Sequence, residues 1–168
     1  RGYVTTMADT HGRKIVTDLL DDIDERVYPV GRLDKDSEGL LILTNDGDLI
    51  EHMMRASHHH EKEYIVKVNK EITPDFMEKM RSGVYLEELG ETTRPCEVKR
   101  MGHDIFDIVL TQGLNRQIRR MCAAEHYHVM SLRRIRIMNI LLGELQPNAW
   151  REITGEELEK LYRMAGMR

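Results

Sequence analysis

Apolar residues fall into short blocks along the chain, and the spacing within each block predicts its element. Ile15, Val16, Leu19, Leu20 and Ile23 recur at helical intervals, which predicts an amphipathic helix over 13–24. Val27 to Val30 is β-branched and broken by Pro29, as a strand end or edge would be. Residues 32–38 are polar and read as a loop. Leu40 to Leu43 is a continuous apolar run that stops at Asn45-Asp46-Gly47. That pattern predicts a strand buried on both faces, then a turn, then a short helix over 48–55. Tyr64 to Val68 has strand chemistry, and Thr73-Pro74 gives a helix start whose inner face is Phe76, Met77 and Met80. Strands are predicted over 94–100 and 105–111, a helix over 115–125, and one or two strands over 127–142. A last helix, 154–165, carries the capping-box pattern Thr154-x-x-Glu157. Helices and strands mix without a regular β-α-β alternation. The expected class is therefore α+β on a largely antiparallel sheet rather than a doubly wound one.

Composition changes this picture little. The 168 residues suit one sizeable domain, or two small lobes sharing a sheet, with enough chain to bury a core. Cys96 and Cys122 lie far apart, and neither sits in a C-x-x-C or Cys/His spacing, so reduced thiols and a cytoplasmic location are expected. No apolar run reaches the length of a membrane span. Adjacent histidines at 58–60 would point alternately along an extended segment, and no metal site is expected there. The abrupt opening Arg1-Gly-Tyr-Val looks cut from a longer protein. Charge matters more. Acidic residues exceed Lys plus Arg by 29 to 25, for a net charge of −4. Yet residues 116–136 hold six arginines and a single acid, Glu125. One basic face on an acidic body is expected, and local field rather than net charge governs phosphate binding.

Three constellations could carry chemistry. The loop Gly31-Arg32-Leu33-Asp34-Lys35-Asp36-Ser37-Glu38-Gly39 lies between two apolar strands, a setting suited to a catalytic carboxylate; residue types alone also allow a solvated turn. Asp36, two residues on, would tend to point away from Asp34 on extended backbone. Gln112 to Cys122 places Arg116, Arg119 and Arg120 on one helix face and Ile118, Met121 and Cys122 on the other, with Asn115 as N-cap. Guanidinium groups beside a helix N-terminus favour an anion, although a merely solvated basic face fits the pattern as well. Lys62-Glu63-Tyr64 opens a strand, and a tyrosine there could stack on a base.

Together, Val30-Gly-Arg-Leu-Asp34, Gly39-Leu-Leu-Ile-Leu-Thr-Asn-Asp-Gly47, Lys62-Glu-Tyr64 and Gln112 to Cys122 strongly resemble the RsuA-type family of ribosomal-RNA pseudouridine synthases. Lys62-Glu-Tyr-Ile-Val and Arg136-Ile-Met-Asn139 bring the chain nearest to its RluF branch. The resemblance covers essentially the whole chain. It implies one extended, mixed, mostly antiparallel sheet with flanking helices and a central RNA-binding cleft. It makes Asp34 the essential aspartate, Tyr64 the tyrosine that stacks on the base, and Arg119 the arginine that pairs with the carboxylate and favours its ionised form. Arg32 would lie near the flipped nucleotide and Leu132 against the uracil. Arg116, Arg120 and Arg134 would bind RNA. No cofactor and no metal are implied. The expected partner is ribosomal RNA, a large-subunit (23S) stem-loop before a small-subunit one, met by a monomer. A non-catalytic RNA-binding module and a hydrolase acting on RNA are the rival readings. Two departures from the family stand out: the S4-type domain that usually comes first is not in this chain, and His126 stands where a left-handed glycine is expected after the arginine helix.

Overall fold

The computed structural model describes residues 26–55 and 59–168. The helix predicted over 13–24 and His58 lie outside the described residues. The chain forms β1 (Tyr28–Val30), β2 (Glu38–Gly39), β3 (Ile42–Thr44), α1 (Gly47–Met54) and β4 (Lys62–Val68). Next come α2 (Pro74–Ser82), β5 (Tyr85–Leu86), β6 (Glu91–Thr92), β7 (Glu97–Arg100) and β8 (Ile105–Leu110). The last elements are α3 (Gln117–Ala124), β9 (Val129–Ile137), β10 (Ile140–Leu141) and α4 (Gly155–Met164).

A six-stranded sheet in the order β10-β9-β4-β8-β7 forms the body, and β2 also pairs with β9. Every pairing in it is antiparallel except β2 with β9. The sheet is thus mixed and mostly antiparallel, as expected. Two ribbons, β1-β3 and β5-β6, stand beside it. Neither β2 nor the β5-β6 ribbon was legible in the hydrophobic pattern, because each strand is only two residues long.

Two apolar cores share the sheet. The larger is built on Val66 and Val68 of β4, Phe106 and Ile108 of β8 and Leu132 of β9, covered by Phe76, Met77 and Met80 of α2 and by Ile118, Met121 and Cys122 of α3. The smaller joins Val30, Leu40 and Ile42 to Leu49 and Met53 of α1, Ile137 and Ile140, and Leu161 of α4. Tyr162 Oη donates to Asp46 Oδ2 at 2.8 Å, tying α4 to the N-cap of α1.

Local expectations fared unevenly. Thr73 caps α2 as predicted, accepting from Phe76 N at 3.1 Å. The capping box at α4 does not form: Thr154 makes no side-chain cap bond, and the Glu157 carboxylate pairs with Arg151 at 2.7 Å instead. A bidentate guanidinium is a stronger partner than one backbone N–H. The Leu40–Leu43 run is not a strand buried on both faces. Leu40 and Ile42 are buried while Leu41 and Leu43 are half-buried, because β3 belongs to a two-stranded ribbon. His126 does adopt the left-handed conformation, with φ 65°.

Candidate active site

The Asp34 loop leaves the smaller core at Val30 and re-enters it at Leu40, so both of its ends are anchored. Between them the chain reverses in a turn closed by Ser37 N donating to Asp34 O at 2.9 Å. That turn corrects the expectation for Asp36. Asp36 does not point away: residues two apart share a face even on extended backbone, and across this turn Asp34 and Asp36 present their carboxylates to one guanidinium. Arg116 donates to both oxygens of Asp36, at 3.1 and 2.9 Å, and its Nη1 lies 3.8 Å from Asp34 Oδ2. This bidentate bond holds Asp36 below the usual carboxylate range, with the Arg119 charge acting in the same direction.

Arg116 also explains a misread cap. Asn115 was the expected N-cap of α3, yet Arg116 occupies that position in left-handed backbone, φ 49° and ψ 39°, with no side-chain cap bond. Asn115 is engaged elsewhere, accepting from Arg120 Nε and Nη2, both at 2.9 Å. Arg119, one turn into the helix, reaches the same loop: its Nη2 donates to Asp36 O at 2.9 Å and to the buried Ser37 Oγ at 3.3 Å. Gln117 is buried and braces the approach to α3, accepting from Leu114 N at 3.2 Å.

From the sheet side the loop is held by Arg134. This side chain is only 3% exposed; its Nε donates to Leu40 O at 2.9 Å and its Nη1 to Arg32 O at 3.2 Å. With two of its nitrogens Arg134, expected as an RNA contact, buckles both ends of the Asp34 loop onto β9. Gly39 packs against the same residue, and a Cβ built there would fall 2.3 Å from Arg134 O. Tyr64 is the register partner of Arg134 across β4 and β9 and packs on the larger core. Leu132 lies within that core, 6% exposed, beside Val66. Arg32 is exposed.

The six arginines do not make one basic face. Strand alternation, with a register shift between Glu63 and Tyr64, carries Arg136 to the reverse of the sheet. There Arg136 pairs with Glu63 at 2.7 Å and Glu61 at 3.3 Å. Asp107 shares that side: burial first, and Glu63 second, push its carboxyl up to about 7. The guanidinium groups paired with the Asp34 and Asp36 carboxylates are those of Arg116 and Arg119. The residues sequence reasoning missed are Asp36, Ser37, Gly39 and Gln117. Of these, only Asp36 carried a readable signal, because it follows Asp34 by two and residues so spaced share a face on extended backbone.

The class is an α+β fold on a mixed, mostly antiparallel sheet, with a carboxylate loop clasped by arginines from a neighbouring helix. The model of the RNA pseudouridylate synthase family matches residues 2–124, and the chain belongs to that family. It is 47% identical over 163 residues to the dual-specificity RNA pseudouridine synthase RluF of Escherichia coli (strain K12), covering 97% of this chain and 55% of the relative. It is 36% identical over 171 residues to the ribosomal large subunit pseudouridine synthase B of Bacillus subtilis (strain 168), covering 98% of this chain and 69% of that one. A crystal structure of a pseudouridylate synthase superposes with a TM-score of 0.88 at 27% identity, covering 96% of this chain and 70% of the other. The chain thus spans little more than half the length of its RluF relative. No helix among the described residues is long and apolar enough to cross a membrane.

Proposed function

We propose that this chain isomerises uridine to pseudouridine in ribosomal RNA of the large subunit, with Asp34 as the catalytic carboxylate. The observation that carries the reading is the clasped turn. Asp34 is held by the anchored loop with the Arg116 guanidinium 3.8 Å away, and it keeps about two-fifths of its side chain exposed, open to a substrate. The large-subunit assignment extends to this chain what the Bacillus subtilis relative's name says.

The reaction breaks the N1–C1′ bond of the target uridine, turns the base and rejoins it through C5. Extruding the nucleotide from its stack costs a few kcal/mol, offset by phosphate contacts from exposed cations such as Arg32 and Arg120 and by stacking on Tyr64. Cleavage develops positive charge at C1′, as in glycoside hydrolysis. An ionised Asp34 beside that carbon stabilises the charge and then either attacks C1′ or removes the 2′ hydrogen. Both routes ask the same of the protein: a carboxylate held ionised and aimed, and a cleft that keeps water from the freed base. Arg119 and Arg116 hold the turn that aims it.

The deciding measurement is release of tritium from uridine C5 in a large-subunit RNA transcript, with strand integrity followed alongside. Isomerisation frees the C5 hydrogen without cutting the chain. A hydrolase would cut it, and a binding module would do neither. Asp34→Asn should abolish release while leaving fold and RNA affinity nearly intact; a variant retaining a tenth of the wild-type rate removes Asp34 from the central role.

A further inference from the structure

Behind the Asp34 loop stand two cationic groups whose charge the described residues do not answer. β4 opens on Lys62, and strand alternation sends its side chain to the same face as Tyr64, two residues on. Its register partners are Leu110 at the end of β8 and Ile137 of β9. Its Nζ comes within 3.7 Å of where a Cβ on Gly113 would stand, so the ammonium lies against the loop that leads into α3. Lys62 is half-buried, and burial, with the nearby Arg134 charge second, lowers its pKa. Among the described residues, no carboxylate pairs with it and no acceptor takes a hydrogen bond from its ammonium.

Arg134 is the second group. Its Nε and Nη1 are used on the Leu40 and Arg32 carbonyls, while Nη2 is buried with no partner among the described residues. Buried donors are nearly always bonded, and a buried cation without an anion is costly. The two like charges stand on adjacent strands, Lys62 on β4 and Arg134 on β9 opposite Tyr64, near a loop where Arg116, Arg119 and Arg120 have all found oxygens.

We propose that Lys62 Nζ and Arg134 Nη2 form a receiving site for an anionic oxygen of the target nucleotide. The inference rests on the reading of the preceding subsection. Two oxygens of that nucleotide have the required chemistry. One belongs to its phosphate. The other is a uracil carbonyl oxygen, which gains charge when N1–C1′ heterolysis leaves the bonding electron pair on the base.

The test compares wild type, Lys62→Met and Lys62→Arg on one large-subunit RNA transcript tritiated at uridine C5, measuring Kd, kcat, KM and thermal stability. Lys62→Met should keep or raise stability, since it removes a buried charge, so lost function is not lost fold. If the oxygen is a phosphate, Kd and KM rise about tenfold and the slope of log K against log salt concentration becomes shallower by about 0.7–0.9. If it is the uracil oxygen, kcat falls about 100-fold with Kd unchanged. In either case Lys62→Arg recovers a large part of the loss, which a packing role would not give. Kd, kcat and KM of Lys62→Met all within twofold of wild type would overturn the proposal. So would equal impairment of both variants. A wild type that binds but releases no tritium sinks the isomerase reading instead, and the Kd comparison still scores Lys62 as a phosphate contact.

Discussion

Gly39→Ala probes the joint on which the Asp34 loop depends. Gly39 has φ 118°, a backbone region that L side chains rarely adopt, and forcing one there costs about 1–3 kcal/mol. The new Cβ would also sit 2.3 Å from Arg134 O, 2.5 Å from Arg134 N and 2.9 Å from Arg134 C, all of them backbone atoms that cannot swing away. Reaching ordinary contact at 3.4 Å needs a shift of about 1.1 Å between β2 and β9. That shift breaks the bond from Leu40 N to Arg134 O, now 2.8 Å, and strains those from Arg134 to Leu40 O and Arg32 O. At about 1 kcal/mol net per bond, the total is about 3 kcal/mol. Urea denaturation should therefore show a lower midpoint with little change in slope. Because the displaced segment carries Asp34, tritium release at a temperature where the variant remains folded should fall at least tenfold. A Gly39→Ala protein within about 0.5 kcal/mol of wild type and fully active would refute the argument that this crossing positions the site.

Three further outcomes are expected. Arg119→Ala should reduce kcat far more than Arg120→Ala, because Arg119 holds Asp36 O and Ser37 while Arg120 turns back to Asn115 just ahead of its own helix; equal mild losses in steady-state kinetics would leave Arg119 a general phosphate contact. Asp107 keeps its proton in the folded protein up to about 7, whereas an unfolded aspartate releases it near ~4. The folded state therefore holds more protons across that window and loses stability as pH rises through it. Asp107→Asn should gain on wild type in denaturation midpoints between about pH 5 and pH 8, and a constant difference would contradict the assignment. RNA binding should weaken with added salt despite the excess of acidic residues; a near-zero slope of log K against log salt concentration would remove exposed cations such as Arg32 and Arg120 from the interface.

Much of this architecture was readable because each long element repeats one physical rule. Phe76, Met77 and Met80 declare the inner face of α2 by spacing alone, and Ile118, Met121 and Cys122 do so for α3. What stayed hidden depends on tertiary partners. Nothing in Glu38-Gly39 announces that two residues will pair with β9 ninety-odd positions later. Nor does a run of six arginines reveal that one turns inward to brace carbonyls and another crosses to the back of the sheet. The three constellations of the candidate site were visible as motifs. Their joinery was not, because a turn bond from Ser37 to Asp34 decides which way Asp36 faces.

Strand β9 passes through both apolar cores, with Val129 and Leu132 in one and Ile137 in the other. It acts as a common axle. The carboxylate loop is packed into one core by Val30 and Leu40, and the arginine helix into the other by Ile118 and Met121. Small torsion of this strand about its own length would therefore change the gap between carboxylate and guanidinium without melting either core. Amide exchange along β9 should then stay slow, since such torsion leaves its ladder bonds to β4 in place.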